Sequence, residues 1–181
     1  MTLTIRKTAG ALGAELSGLD LSDPLTDTQV AEIRQAFVEH QVIFFRGQTL
    51  SPGQQLAFGR RFGPLNIHPY VAGMADFPEV MEVIKEPEDR TNFGGGWHSD
   101  MSFLERPAIA SILHAVEIPD WGGDTLFASQ AAAYEARGYS TRRGARRMRT
   151  MIIPRRFSWM RASQCPEAPH QQLFCDQLVV L

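Results

Sequence analysis

Four consecutive apolar residues, Val42-Ile43-Phe44-Phe45, lie between His40-Gln41 and Arg46-Gly47, and they dictate where the core of this chain must be. A run of β-branched and aromatic residues without polar alternation predicts a strand buried on both faces, near the centre of a sheet. The segments on either side predict helices. Upstream, Thr26-Asp27-Thr28-Gln29 sets a Thr three residues before a Gln, so each side chain can satisfy a free amide at a helix start. Val30, Ile33, Ala36 and Phe37 follow at helical spacing, which predicts a helix from about residue 27 to His40. Downstream, Ser51-Pro52-Gly53-Gln54 repeats the signal with Pro at the first helical position, and the second helix should stop before Gly63-Pro64.

The remaining periodicity is that of strands. Thr2 to Lys7 alternates apolar and polar, the glycine-bounded stretch from Gly10 to Gly18 holds a second short strand, and Val80 to Lys85 alternates again. From Trp97 the chain reads as extended, Ile109 to Val116 is β-like, and Thr125 to Ala128 forms a short strand after the turn Gly122-Gly123-Asp124. Ser129 is placed to cap a helix running through Ala136. Short strands with two early helices indicate an α+β or mainly β fold.

A chain of 181 residues that is 44% hydrophobic and 21% charged fits one globular domain, which excludes wholesale disorder and fibrous classes. The opening MTLTIRKTAG has no signal-like apolar core, and no run approaches the roughly 18 apolar residues of a membrane span. A cytoplasmic location is therefore expected, with Cys165 and Cys175 as free thiols. The net charge of −2 hides an asymmetry. Residues 1–136 hold 9 Lys+Arg against 18 Asp+Glu, whereas residues 137–181 hold 9 Arg against 2 acids. The arginines of that end come without lysine and without a periodic basic face, which argues against a nucleic-acid arm.

Chemistry concentrates in Gly94-Gly95-Gly96-Trp97-His98-Ser99-Asp100. On a strand, residues two apart share a face, so His98 and Asp100 would project together. An imidazole nitrogen beside a carboxylate oxygen suits a divalent first-row metal, and two histidines with one carboxylate leave positions open on iron(II). One His-x-Asp pair alone is weak, since a solvated pair on a surface strand is the commoner cause. The three glycines are not a phosphate loop, because no Gly-Lys-Ser and no helix start follow them. His114, in an apolar run, reads as a satisfied core histidine.

The pair has company. Gly13-Ala14-Glu15, Gly18-Leu19-Asp20-Leu21, His40-Gln41-Val42, Phe45-Arg46-Gly47-Gln48, Arg61-Phe62-Gly63-Pro64, His68-Pro69, Trp97-His98-Ser99-Asp100 with Phe103, Gly122-Gly123-Asp124-Thr125 and Ala133-Tyr134 occur in order. In these blocks residues 1–136 resemble the taurine dioxygenase (TauD/TfdA) family of Fe(II)- and 2-oxoglutarate-dependent dioxygenases. The resemblance implies a double-stranded β-helix, or jelly roll, with flanking helices. It implies Fe(II) as the metal and 2-oxoglutarate and O2 as co-substrates, with hydroxylation of a small organic acid such as a sulfonate, as in taurine catabolism. It gives His98 and Asp100 as metal ligands, Thr125 as a partner of a 2-oxoglutarate carboxylate, and His68 and Tyr70 as substrate-side residues. Gly94 stands where taurine-acting members carry an asparagine, so a different sulfonate or another small acid stays open.

The family's second histidine ligand and its 2-oxoglutarate-binding arginine, both in a downstream segment, have no counterpart by motif. After Tyr134-Glu135-Ala136 the composition changes abruptly. The expectation is a member truncated or frame-shifted after about residue 136, with an incomplete β-helix, an unrelated Arg-rich segment at 137–181 and impaired activity. His170 is the one distant histidine that could serve as a surrogate ligand. A non-catalytic remnant whose basic tail contacts an acidic partner is the alternative. The expected partner is a small-molecule substrate rather than a membrane or nucleic acid, and a homo-oligomer stays open.

Overall fold

The computed structural model describes residues 2–91, 93, 95–119 and 124–136, together with the backbone of 150–154 and 177–180. In chain order the elements are β1 (Thr4–Lys7), β2 (Ala14–Ser17), α1 (Asp27–His40), β3 (Ile43–Arg46), α2 (Pro52–Arg60), β4 (Ile112–His114), β5 (Thr125–Ser129), α3 (Gln130–Ala136), β6 (Thr150–Pro154) and β7 (Gln177–Val180). A five-stranded sheet runs β1-β2-β3-β7-β4, and β5 pairs with β6 in a separate two-stranded sheet.

Both early helices begin as their side chains dictate. Thr26 and Gln29 form a reciprocal capping box at α1, and Ser51 and Gln54 form another at α2, with Pro52 in the first turn. Parallel neighbours need a long crossover, and α1 supplies the one between β2 and β3, where Ala14 stands opposite Ile43. The helix turns Val30, Ile33, Ala36 and His40 inward. It ends at Gln41, whose φ of 65° reverses the chain into β3.

The core lies between this helix pair and the sheet. Phe45, Leu16, Ile33 and Ile43 are its largest fully buried side chains. Phe58 of α2 meets Phe45 edge-on at 6.3 Å and Phe62 at 5.1 Å between ring centroids, an arrangement that aromatic quadrupoles favour.

β3 is the middle strand of its sheet, as the apolar run predicts, but only one of its faces is sealed. Ile43 and Phe45 are fully buried, whereas Phe44 and Arg46 are half-buried. The Arg46 guanidinium lies 5.3 Å above the Phe44 ring, and its Nε is 3.1 Å from Glu15 Oε2. An ion pair thus covers the face that a continuous apolar run would assign to core.

Three strand expectations change. Val80 to Lys85 forms no strand: Val80 is held in turns with Met74 and Phe77, and Val83 and Ile84 are exposed. Alternation needs a neighbouring strand to pair with, and none of the described strands runs beside it. The β-like run Ile109 to Val116 contracts to Ile112–His114. The stretch after Trp97 is not extended: His98 makes an isolated bridge, and the chain turns at Asp100, with Met101 at φ 53° and Leu104 N–H bonded to Met101 O. Among the described residues no helix is long and apolar enough to cross a membrane.

Candidate functional site

His98 and Asp100 converge although no continuous strand carries them. The turn at Asp100 swings its carboxylate back, and His98 Nε2 sits 3.1 Å from Asp100 Oδ1. The far side of each group is engaged. His98 Nδ1 lies 2.8 Å from the Gly96 carbonyl oxygen, and Ser111 Oγ donates to Asp100 Oδ2 at 2.9 Å.

These contacts fix the chemistry at the gap. A carbonyl oxygen only accepts, so Nδ1 carries the proton that it donates to Gly96, and in a neutral ring Nε2 then offers a lone pair. That lone pair faces a carboxylate oxygen, and two acceptors at this distance need a proton or a cation between them. Metal-bound histidines commonly donate their other N–H to a carbonyl, and metal-bound carboxylates are themselves hydrogen-bonded. With metal–ligand bonds of about 2.1 Å, adjacent corners of an octahedron stand about 3.0 Å apart, close to the separation found here. The two donors therefore fit a six-coordinate divalent ion. Among the described residues no group of three His, Cys, Asp or Glu side chains surrounds such a point.

Tyr70 approaches the same turn from the loop after α2, with His68 beside it in that loop. His68 Nδ1 accepts from the backbone N–H of Tyr70 at 3.2 Å and of Val71 at 3.0 Å, which leaves Nε2 directed away from its own loop. The Tyr70 ring lies 6.2 Å from His68 and 5.9 Å from Phe103, and Phe103 belongs to the turn that begins at Asp100. Tyr70 is 81% exposed, so its ring forms an apolar flank open to solvent.

Thr125 stands exposed at the first position of β5, opposite Pro154. Its strand leads into α3, and Gln130 at the start of that helix donates to Ser99 Oγ at 3.1 Å. The helix tethers the ligand turn from the side opposite the Tyr70 loop in sequence. Ser111 and Gln130 are site residues that sequence reasoning missed. No local signal marks them, because their partners lie 11 and 31 positions away. His114 is satisfied as expected, its Nε2 donating to the Gln48 carbonyl at 3.1 Å. Gly94, Gly122, Gly123, Cys165, His170 and Cys175 lie outside the described residues. A cavity of 260 Å³ between Leu21–Leu25 and α2, reaching Phe58 and Arg61, contains none of the predicted site residues.

The model of the taurine catabolism dioxygenase TauD, TfdA family matches residues 4–175. The chain belongs to this family. It is 38% identical over 134 residues to an alkylsulfatase of Acinetobacter baylyi, covering 74% of this chain and 41% of the relative. It is also 38% identical to an alpha-ketoglutarate-dependent sulfate ester dioxygenase of Pseudomonas putida, covering 75% of this chain and 44% of that one. The crystal structure of a taurine dioxygenase from Burkholderia xenovorans superposes with a TM-score of 0.66 at 35% identity, over 77% of this chain and 49% of that chain. The chain thus spans less than half the length of these curated TauD/TfdA relatives.

Proposed function

We propose that this TauD/TfdA chain carries the first two metal ligands and the substrate-side loop of an Fe(II)- and 2-oxoglutarate-dependent dioxygenase acting on a small sulfonate, sulfate ester or similar organic acid. The reading rests on one observation: His98 Nε2 and Asp100 Oδ1 face each other at 3.1 Å with their other atoms engaged. The names of the relatives supply the reaction class and the range of substrates.

Bound Fe(II) with 2-oxoglutarate and O2 would supply oxidative attack on an unactivated C–H bond; the protein supplies binding, orientation and shielding. His98 and Asp100 would hold the metal, and Thr125 would offer its hydroxyl to a carboxylate of 2-oxoglutarate. His68, its Nδ1 engaged by two backbone amides, presents Nε2 toward an anionic group of the substrate, and Tyr70 lines the apolar flank with Phe103. In this reading the two sheets are parts of a double-stranded β-helix, and residues 1–136 form the dioxygenase portion. The family model runs on to residue 175, so a division at 136 rests on the change of composition there and not on the extent of the match. Residues 137–181 are an Arg-rich segment of different origin, and the location is cytoplasmic.

Two donors among the described residues would by themselves hold iron weakly. Anaerobic equilibrium dialysis with Fe(II) tests the assignment. His98→Ala and Asp100→Asn should each weaken binding at least tenfold relative to the native chain. Equal affinities in all three would refute the metal assignment and favour an imidazolium–carboxylate pair.

A further inference from the structure

We infer that Ser111 and Gln130 are positioning residues for the turn His98-Ser99-Asp100, with Ser111 setting which oxygen of Asp100 faces a bound cation. The inference rests on the metal reading above and deepens it.

The local chain holds His98 through the Gly96 carbonyl, but the carboxylate of Asp100 is held from outside the turn. The turn is a solvent-facing stretch in which Asp100 and Met101 turn, and the side chains of His98 and Asp100 are 38% and 39% exposed. The terminal torsion of an aspartate is broad, so an unrestrained carboxylate rotates and presents either oxygen or both. Ser111 removes that freedom by donating to Oδ2 at 2.9 Å, which leaves Oδ1 opposite His98 Nε2.

The hydroxyl comes from a fixed element. Ser111 directly precedes β4, which pairs with β7 along Ile112 to His114. Gln55 Nε2 of α2 donates to the Ile112 carbonyl at 3.1 Å, and His114 donates to Gln48 O at 3.1 Å. Gln130 braces the turn from another element by donating to Ser99 Oγ, between the two ligands, at 3.1 Å. Its neighbour Ser129 is tied to Gln41 at 2.8 Å, so α3 is anchored at the end from which Gln130 reaches out. Neither Ser111 nor Gln130 needs to touch the metal.

Co(II) titration of the full chain, followed by its visible absorption, tests this, with thermal melting of the metal-free protein alongside. Outer contacts of this kind change metal affinity by about 10-fold to 100-fold. Ser111→Ala should raise the Co(II) dissociation constant about tenfold and shift the band shape, without moving the metal-free melting curve. Ser111→Thr, which keeps the hydroxyl, should restore both, and Gln130→Leu should weaken binding to a smaller degree. Wild-type affinity and band shape in Ser111→Ala, with binding lost in His98→Ala, would overturn this inference and leave the metal reading standing. No saturable binding by the native chain, or equal binding by His98→Ala, would overturn both. Should Ser111→Ala not fold, Ser111→Val matches the Thr variant in shape without its hydroxyl, and native Co(II) affinity in that variant overturns the inference equally.

Discussion

The backbone N–H of Leu21 donates to the side-chain oxygen of Gln48 at 2.8 Å, and the same buried amide returns its own protons to the carbonyls of Leu19 at 3.2 Å and Arg46 at 3.1 Å. One side chain thereby closes the main-chain bonding of the loop between β2 and α1 against the end of β3. Gln48→Leu fills similar space and leaves these groups unpaired. A cost on the order of 3 kcal/mol is expected, given about 1–3 kcal/mol for each buried polar group stranded. Urea unfolding measures it as a lowered midpoint at constant slope; a change below about 0.5 kcal/mol would show that water replaces the amide freely.

Glu15 gives the fold an acid sensitivity with a defined sign. Burial pushes its carboxyl up, but hydrogen bonds and charge from Arg46 and Arg6 outweigh that and hold it below the ordinary glutamate range. The folded form therefore releases its proton more readily than the unfolded chain. The resulting stability is fully present at neutral pH and disappears as pH falls through the usual glutamate range to the lowered value. Glu15→Gln should flatten that part of the stability–pH profile and cost on the order of 1 kcal/mol at neutral pH. Parallel acid profiles for the two proteins would contradict the argument.

Local chemistry was the part legible in sequence. The capping boxes Thr26–Gln29 and Ser51–Gln54 and the position of β3 all follow from neighbours within a few residues. What covers Phe44 and Arg46 was not legible, because Glu15 lies 31 positions from Arg46 and meets it only across a parallel pairing. Val80 to Lys85 has the pattern of a strand without the partner that a strand requires. His98 and Asp100 are legible as a motif, but a shared strand face is not what brings them together. A turn with Met101 at positive φ brings them together, supported by Ser111 and by Gln130 of α3, two residues that carry no motif.

Two glycines separate a conformational requirement from a tolerated one. Gly18 has φ +91°, and a Cβ there would meet the Thr2 carbonyl oxygen at 2.5 Å, while a Cβ at Gly10 would meet nothing within 4 Å. Gly18→Ala should lower stability by about 1–3 kcal/mol through strain that the β1–β2 pairing cannot relieve. Gly10→Ala should be neutral or slightly stabilising, since it narrows the unfolded ensemble. Comparison of the two melting temperatures decides the matter, and equal losses would contradict the distinction drawn between the two positions.

Ser129 holds the short helix that reaches the candidate site. Its Oγ accepts from the Ala132 N–H at 3.1 Å, capping α3, and donates to Gln41 Oε1 at 2.8 Å. None of the residues of α3 is buried, and a helix of seven residues has little stability of its own. Ser129→Ala therefore removes most of what fixes the helix start, at about 1–2 kcal/mol for the cap. The loss should be local. Amide exchange in Gln130–Ala136 should accelerate while that of α1 stays unchanged, and Co(II) affinity should fall with it because Gln130 no longer holds Ser99. Faster exchange in α3 at unchanged metal affinity would separate the helix from the site. Unchanged exchange would instead locate the helix's support in its contact with β6.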